Sequence, residues 1–141
     1  MIVRRATEAD ALDVLAWRND PLTRAMSRNR SEIDEASHLA WFAAALANPQ
    51  VTLLIGEADG EKVGMVRFDH LEPTEVSINV NPACRGRGHG YALLTGALEQ
   101  VRGDVVAEIL EENLASRRIF ERAGFKLQGK VDGRRSYLRA G

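Results

Sequence analysis

Three alternate glycines, Gly86, Gly88 and Gly90, mark the part of this sequence best suited to hold an anion. They follow a run with the alternation of a strand (residues 75–80) and precede a run with apolar residues at helical spacing (residues 91–101). Glycine leaves the backbone amides unshielded, and the first turn of a helix presents unpaired N–H groups and the positive end of its dipole. Because such a turn binds phosphate without a metal or a lysine, the sequence predicts a pyrophosphate site here.

The spacing of the loop narrows the choice of phosphate-binding motif. The chain has no G-x-x-x-x-G-K-[ST], which excludes a P-loop, and its G-x-G-x-G differs from the G-x-G-x-x-G of dinucleotide-binding folds. The remaining pattern is R-x-x-G-x-G, formed by Arg85, Gly88 and Gly90. It resembles the acetyl-CoA pyrophosphate loop of the GNAT superfamily of N-acetyltransferases. A different nucleotide-binding protein with the same phosphate loop is an alternative that this motif alone leaves open.

A second motif lies downstream of the loop. Residues 105–110 have the pattern of a buried strand, and residues 113–125 follow as an asparagine, a short helix and a Gly-Phe pair. Asn113 is a good N-cap, and Gly124 suits the left-handed position after a helix. One face of the helix carries Ala115, Ile119 and Ala123. The segment is similar to the second GNAT signature, and the two motifs occur in the order typical of that family.

The resemblance implies a cofactor site. In this family the fourth and fifth strands splay, and the pantetheine of the cosubstrate acetyl-CoA lies between them, with no metal ion. Backbone groups of Ile78 and Val80 would then contact pantetheine, and the amides from Arg87 to Tyr91 would hold the pyrophosphate. The full set of cofactor-binding residues that the resemblance implies is Ile78, Val80, Arg85, Arg87, Gly88, His89, Gly90, Tyr91, Asn113, Ser116 and Phe120.

The chemistry that this family implies is attack of a neutral amine on a thioester. It needs a donor for the oxyanion, a base for the amine and a route for the leaving sulfur. A backbone N–H near Val80 is the expected donor. The family often has a tyrosine as the acid where this chain has Phe120, which cannot donate a proton. Departure of a thiol of pKa about 8.5 as the thiolate costs only about 2 kcal/mol at neutral pH, so the missing tyrosine does not argue against an enzyme.

Glu75 is the candidate general base. It opens the strand beside the expected thioester position, where many family members carry a glutamate. A solvated charge at a strand end is the alternative interpretation. Asp69 and His70 end the preceding strand and are placed to face the same cleft. Cys84 has no histidine partner placed by the sequence, so we do not expect it to act as a nucleophile.

The first third of the chain bears on the acceptor amine. Residues 17–21 and 35–42 resemble the GNAT branch that acetylates nucleotide-linked amino sugars, whose related members modify protein N-termini. The sequence therefore favours an amino sugar slightly over other amines, and Arg18 and Arg28 would suit a nucleotide diphosphate. A protein N-terminus, another small amine and a non-catalytic acyl-CoA-binding domain of the same fold stay open. Core packing is the alternative role for the aromatic residues Trp17, Trp41 and Phe42.

Length and composition fit a single domain spanning residues 1–141, and the resemblance implies that this domain is an N-acetyltransferase. The formal net charge of −1 gives no basis for binding nucleic acid or an anionic membrane, and no apolar run is long enough to cross a bilayer. The first residues lack the apolar stretch of a secretory signal, and the single Cys84 excludes an internal disulfide. We therefore expect a cytoplasmic protein that acts on a small-molecule amine. Its oligomeric state, a homodimer included, is left open.

Periodicity and turn residues predict the elements that position these side chains. The predicted strands are residues 2–5, 51–57, 62–68, 75–80, 105–110, 126–131 and 135–139, with hairpin turns at Asp59-Gly60 and Asp132-Gly133. Four helices are predicted. The first follows the capping pair Thr7 and Asp10 and has Leu12, Leu15 and Ala16 inward, and the second spans residues 33–47 and has Leu39, Phe42 and Leu46 inward. The third follows the phosphate loop, and the fourth follows Asn113. This order predicts an α/β (α+β) domain with a mixed central sheet of about seven strands and helices on both faces.

Overall fold

The computed structural model describes all 141 residues, which form a seven-stranded sheet and five helices. The strands are β1 (Ile2–Arg5), β2 (Val51–Ala58), β3 (Glu61–Asp69), β4 (Thr74–Val80), β5 (Val105–Leu110), β6 (Lys126–Val131) and β7 (Arg134–Arg139). The helices are α1 (Ala11–Arg18), α2 (Pro21–Ala25), α3 (Glu35–Ala47), α4 (His89–Leu98) and α5 (Leu114–Arg122). Short 3-10 turns occupy Glu8–Asp10 and Pro82–Cys84. None of the helices combines the length and apolar character needed to cross a membrane.

The strands lie in the order β1-β2-β3-β4-β5-β7-β6. All neighbouring pairs are antiparallel except β4 and β5, which are parallel. A parallel pair needs a crossover connection, and α4 supplies it. The glycine loop therefore lies at the carboxyl end of β4, where the chain leaves the sheet to begin α4. The predicted mixed sheet and its helices on both faces are confirmed.

Both predicted hairpin turns are confirmed by their backbone conformation. In the turn between β2 and β3, φ is 53° at Asp59 and 77° at Gly60. In the turn between β6 and β7, φ is 50° at Asp132 and 75° at Gly133. Consecutive left-handed residues are typical of the type I′ turn, whose twist matches that of antiparallel strands.

Two apolar clusters pack against opposite faces of the sheet. The larger cluster has 14 buried residues and joins the sheet to α4 and α5 through Leu93, Leu94 and Phe120. The smaller cluster has 10 buried residues and joins the other face to α1 and α3 through Trp17 and Phe42. The sheet is therefore covered on both sides.

The buried face of α1 differs from the predicted one. The buried residues are Ala11, Val14 and Trp17, whereas Leu12 is 57% exposed. The helix carries apolar residues on two faces, so periodicity alone does not choose between them. Packing against α3 and the sheet selects the face that buries the large indole of Trp17.

The buried face of α3 was predicted in part. Phe42 is buried as expected, but Leu39 is 40% exposed, and His38 and Ala45 are buried instead. His38 lies one residue before Leu39, so the buried face is rotated relative to the prediction. The buried His38 ring forms a hydrogen bond with the carbonyl of Ala11, a contact that no apolar periodicity reveals.

A buried carboxylate anchors the start of α1. Asp10 is 1% exposed, accepts a hydrogen bond from the Thr7 N–H at 2.8 Å, and thereby confirms the predicted capping pair. Its two oxygens also bind the guanidinium of Arg4 at 2.9 Å and the ammonium of Lys62 at 2.7 Å. These contacts, above all the one with Arg4, hold the pKa of the Asp10 carboxyl well below its usual range. They join β1 and β3 to the turn that precedes α1.

Candidate active site

The site is built on a gap between β4 and β5. The two strands pair only at Thr74–Val105 and Glu75–Val106, although β4 continues to Val80. The N–H of Asn81 donates to the carbonyl of Val63 at 2.8 Å on the β3 side. Because successive peptide groups of a strand point to opposite edges, those of Val80 and Ile78 face the gap. Both residues were singled out in the sequence for contact with pantetheine.

A cleft of about 630 Å³ opens from this gap towards the phosphate loop. Most of the residues predicted to bind the cofactor line it, namely Ile78, Val80, Arg85, Gly88, His89, Gly90, Tyr91, Asn113 and Ser116. The Arg87 side chain does not, because its guanidinium binds Glu61 at 3.0 Å and the carbonyl of Ala83 at 3.2 Å. Only the backbone of Arg87 remains available for the role that the sequence predicts.

The phosphate loop has the geometry of an anion cradle. Gly86 and Gly88 have φ angles of 76° and 78°, and no atom lies within 4 Å of a Cβ added at either position. The backbone amides of residues 86–91 donate to no acceptor within the protein. Gly90 differs, because a Cβ there would meet the Ile119 side chain at 2.6 Å. The open loop, its unpaired amides and the α4 N-terminus fit a pyrophosphate.

Two arginines of α5, which the sequence analysis missed, line the same cleft. They are Arg118 and Arg122, and the Arg122 guanidinium lies 4.0 Å above the centre of the Tyr91 ring. Tyr91 is half-buried and lines the cleft, so its ring forms part of the wall. These cations add positive charge to a cleft already suited to phosphate.

The N-cap of α5 positions the second motif. The Asn113 side chain accepts a hydrogen bond from the Ser116 N–H at 3.2 Å, as the capping pattern predicts. Gly124, with φ at 94°, ends the helix in the left-handed conformation. Asn113 and Ser116 both line the cleft, so the start of α5 forms part of its wall.

A second cleft, of about 560 Å³, lies on the other side of the gap and is called the acceptor cleft below. It meets the first at Ile78, Asn79, Asn113 and Ser116, which line both. Glu75 lines it, and Asp69 lies directly opposite Glu75 in the β3–β4 pairing. A sequence-predicted base therefore lies in the acceptor cleft, which joins the cleft of the phosphate loop.

Other sequence candidates for proton transfer are engaged elsewhere. His70 lines neither cleft, and its Nε2 hydrogen-bonds with the Thr52 hydroxyl at 2.7 Å. The carboxylate of Asp69 accepts hydrogen bonds from Arg67 at 2.8 and 3.2 Å. The Cys84 thiol is buried, and burial raises its pKa, so it is a poor nucleophile. Of the carboxylates that line the acceptor cleft, Asp69 and Glu108 are paired with arginines and Glu75 is not, and its role as the base stays a prediction.

Phe120 faces the acceptor cleft and not the cleft of the phosphate loop. Its side chain is 2% exposed and packs edge-to-face on Phe125, with ring centres 5.0 Å apart. The residue is thus both part of the larger apolar cluster and part of the cleft wall. The direct cofactor contact predicted for it stays a prediction.

One wall of the acceptor cleft includes an aromatic ring that has two cations near it. The guanidinium carbons of Arg18 and Arg67 lie 4.4 and 5.5 Å from the centre of the Trp41 ring. Trp17 and Phe42 are core residues, as the alternative interpretation has it, whereas Trp41 is half-buried and lines the cleft. Burial, and secondarily the charge of Arg67, lowers the pKa of Arg18.

Helix α2 connects the two clefts and was missed by the sequence analysis. Thr23, Met26 and Ser27, on α2 or just after it, line both clefts. The signal was present, because Asp20 is an N-cap followed by Pro21 at the first helical position. The Asn19-Asp20-Pro21 segment thus ends α1 and also begins the next helix.

The sheet thus splays between a loop suited to an anion and a second cleft, which is the arrangement that the resemblance to the N-acetyltransferase family implies. Residues 1–126 match the family described as the acetyltransferase (GNAT) domain. The L-methionine sulfoximine/L-methionine sulfone acetyltransferase of Pseudomonas paraeruginosa is 30% identical over 141 residues, covering 92% of this chain and 82% of that protein. The chain belongs to the GNAT family, and it is an acetyl-CoA-dependent N-acetyltransferase.

Solved structures agree with this fold. The ribosomal-protein-alanine N-acetyltransferase of Brucella melitensis has a TM-score of 0.83 at 24% identity and covers 99% of both chains. A Salmonella typhimurium protein solved with its cofactor acetyl-CoA has a TM-score of 0.81 at 24% identity, covering 99% of this chain and 93% of that one. No group of three or more His, Cys, Asp or Glu side chains in this chain is placed to hold a metal ion.

Proposed function

We propose that this protein acetylates the primary amine of a small amino-acid-like acceptor by direct transfer in a ternary complex. The observation that carries the proposal is the junction of the two clefts at the β4–β5 gap, at Ile78, Asn79, Asn113 and Ser116. An acceptor in one cleft and a thioester in the other would meet there. The only cysteine is buried, so no thiol of the chain is available to carry the acetyl group between them.

Roles for the chain's own groups follow from their positions. Acetyl-CoA supplies the activated acetyl group as a thioester. The unpaired amides of residues 86–91 would hold its pyrophosphate, and the peptide groups of Ile78 and Val80 face the gap where pantetheine would lie. The Val80 N–H is a candidate donor to the carbonyl oxygen as negative charge builds on it. Glu75, on the acceptor side, would remove the proton of the incoming ammonium directly or through water.

No acid is assigned to the leaving sulfur. Phe120 occupies the position where the family often has tyrosine, and its buried ring packs on Phe125. Tyr137 is also buried, and its hydroxyl donates to Glu121 at 2.6 Å away from both clefts. Release of the sulfur as a thiolate, at a cost of about 2 kcal/mol at neutral pH, therefore needs no dedicated side chain.

The acceptor class rests on the relatives and on the charges of the acceptor cleft. The Pseudomonas relative acts on L-methionine sulfoximine and L-methionine sulfone by its name, which favours an amino acid derivative over the amino sugar expected from the sequence. The cleft carries both carboxylates and guanidinium groups, including Glu75 and Arg18. A zwitterion with an amine and an acid group suits such a mixed surface better than a polycation does.

An acceptor screen tests this proposal. The protein is incubated with acetyl-CoA and, separately, with methionine sulfone, methionine sulfoximine, a nucleotide-linked amino sugar, a peptide amine and an aminoglycoside. We expect thiol release and gain of one acetyl group by mass spectrometry with the amino acid derivatives. Preference for the amino sugar or the peptide would overturn the acceptor class. Tight acetyl-CoA binding without transfer to any amine would instead favour the non-catalytic acyl-CoA-binding alternative.

A further inference from the structure

We propose that Arg18 is the anion-recognition residue of the acceptor cleft and binds a carboxylate carried by the acceptor. The identity of the acceptor in this inference rests on the proposed function. Its physical basis is that no carboxylate of the protein pairs with the Arg18 guanidinium. It extends the site beyond the acetyl-transfer groups, because it assigns the part of the substrate that does not react.

The arginines of the acceptor cleft differ in whether a carboxylate already neutralises them. Arg67 binds Asp69 at 2.8 Å, and Arg28 is paired with Glu108. Arg18 has no carboxylate partner, and Arg134, at the first residue of β7, is the other cleft arginine without one. Arg18 is distinguished from Arg134 by its surroundings, because it is stacked on Trp41 and held by a second side chain.

The surroundings of Arg18 orient its guanidinium. One face lies 4.4 Å from the centre of the Trp41 ring, and Nη1 is 3.0 Å from Nδ1 of His38. Nε and Nη2 have no protein acceptor and are not enclosed, so they are free to bind a ligand in the cleft. Since burial lowers the pKa of Arg18, its charge is incompletely solvated, and a carboxylate there would restore the lost stabilisation.

His38 acts as a positioning residue for Arg18. Its Nε2–H donates to the carbonyl of Ala11 at 2.7 Å, which leaves Nδ1 as an acceptor for the Arg18 N–H. This arrangement needs the neutral ring, and burial lowers the pKa of His38, which favours that form. A neutral partner fixes the guanidinium in place without cancelling its charge. The charge therefore remains available to the acceptor.

Arg18 and Glu75 then divide the recognition of a zwitterion. Both line the acceptor cleft, Arg18 at the end of α1 and Glu75 near the start of β4. Glu75 would receive the ammonium that reacts, and Arg18 would hold the carboxylate that does not. An acceptor without an acid group would leave the Arg18 charge unmatched and would bind more weakly.

The test compares an acid and its amide in matched variants. For wild type, Arg18→Gln and the control Arg28→Gln, kcat/KM is measured with L-methionine sulfone and with its α-carboxamide. We expect the wild type to prefer the acid by about tenfold or more, since hydrogen bonds between charged groups are the strong ones. Arg18→Gln should lose most of that preference. The Arg28 side chain is 61% exposed and already paired with Glu108, so Arg28→Gln should keep the preference for the acid to within about threefold.

A second variant and a binding readout guard against a fold defect. Arg18→Lys keeps a charge but not the planar fork, and its acid preference should fall between those of the wild type and Arg18→Gln. Binding of N-acetyl-L-methionine sulfone, which has a carboxylate but no free amine, is followed by fluorescence of the adjacent Trp41. Its affinity should fall about tenfold in Arg18→Gln.

The outcomes separate this inference from the proposed function. The Arg18 site would be overturned by an equal acid preference in the wild type and both Arg18 variants. It would also be overturned by a wild type that accepts the acid and the amide equally. In both cases the proposal that the protein acetylates amino acids would stand. If the wild type acetylates no amino acid but binds the N-acetyl compound through Arg18, the acceptor class is wrong and the anion site is supported.

Discussion

Arg85, in the phosphate loop, donates a hydrogen bond to Oδ2 of Asp20, the N-cap of α2, at 2.5 Å. The same guanidinium nitrogen lies 2.9 Å from the Thr23 hydroxyl. Arg85 thus joins the loop that faces the cofactor to the helix that lines both clefts. Arg85 therefore has two candidate roles. The sequence predicts that it contacts the cofactor, and the structure shows that it links the phosphate loop to α2. The two roles lead to different predictions.

The first prediction separates these roles by opposite changes in charge. If Arg85 contacts phosphate, Arg85→Gln should weaken acetyl-CoA binding about three- to tenfold, because a cation leaves the cleft. Asp20→Asn keeps a good N-cap but removes the competing carboxylate, so binding should stay equal or tighten. Calorimetric titration with acetyl-CoA at two salt concentrations measures both. Equal weakening in the two variants would mean that Arg85 acts only as the structural link.

The second prediction concerns the anion cradle. Gly88→Glu should weaken acetyl-CoA binding at least tenfold, about 1.4 kcal/mol, because a carboxylate would repel the pyrophosphate. Gly88→Ala is the matched control, since both variants share the cost of a left-handed residue, about 1–2 kcal/mol of stability, and there is space for the added Cβ. Ligand-induced shifts in melting temperature measure the difference. Similar affinities for the Glu and Ala variants would place the pyrophosphate elsewhere.

The third prediction tests Glu75 as the base. Glu75→Gln should lower kcat by about a hundredfold and abolish the fall in rate on the acidic side of the pH profile. Asp69→Asn is the control, because it removes a neighbouring carboxylate that Arg67 already binds, and its profile should keep the acidic limb. Steady-state rates across pH with saturating acetyl-CoA check both variants. A wild-type profile in Glu75→Gln would leave water or a backbone carbonyl as the proton acceptor.

The fourth prediction follows from the burial of Phe120. Phe120→Tyr should change kcat by well under a hundredfold, because thiolate departure already costs little. The added hydroxyl enters a position that is 2% exposed, and without a partner it should destabilise the fold by about 1–3 kcal/mol. Chemical denaturation and steady-state kinetics measure the two effects. A rate gain of a hundredfold or more would show that proton donation to the sulfur limits the native enzyme.

The fifth prediction is a pH dependence of stability due to His38. Burial lowers the pKa of His38 below its ordinary value of 6.5, so the folded ring stays neutral while the unfolded one takes up a proton. Unfolding therefore binds a proton, and stability is fully present above about pH 6.5 and declines as the pH falls towards the lower folded pKa. His38→Gln should be less stable at neutral pH but should lose less stability on acidification. Urea denaturation at about pH 7.5 and pH 5.5 gives the loss of unfolding free energy on acidification for the wild type and for His38→Gln. The two losses would be equal if His38 were not the titrating group.

The sequence by itself determined the elements whose signals are local. The glycine loop, the Asn113 cap, the two hairpin turns and the order of strands and helices each depend on residues adjacent in the chain. Backbone conformation at Gly88 or Gly124 follows from the absence of a Cβ, which is a property of the residue itself. Two motifs of this kind, in the right order, were enough to predict the fold and the acetyltransferase family.

Only the tertiary structure decided which side chains meet. Arg18 and Arg67 reach Trp41 from different elements, and Arg85 reaches Asp20 across 65 positions of sequence. Such pairs depend on strand register and on which helix face packs against the sheet, and apolar periodicity predicted the wrong face for α1 and only part of the buried face of α3. The cofactor side was therefore largely predictable, because backbone amides and glycines form it. The acceptor side was not, because it is formed by side chains from separate elements.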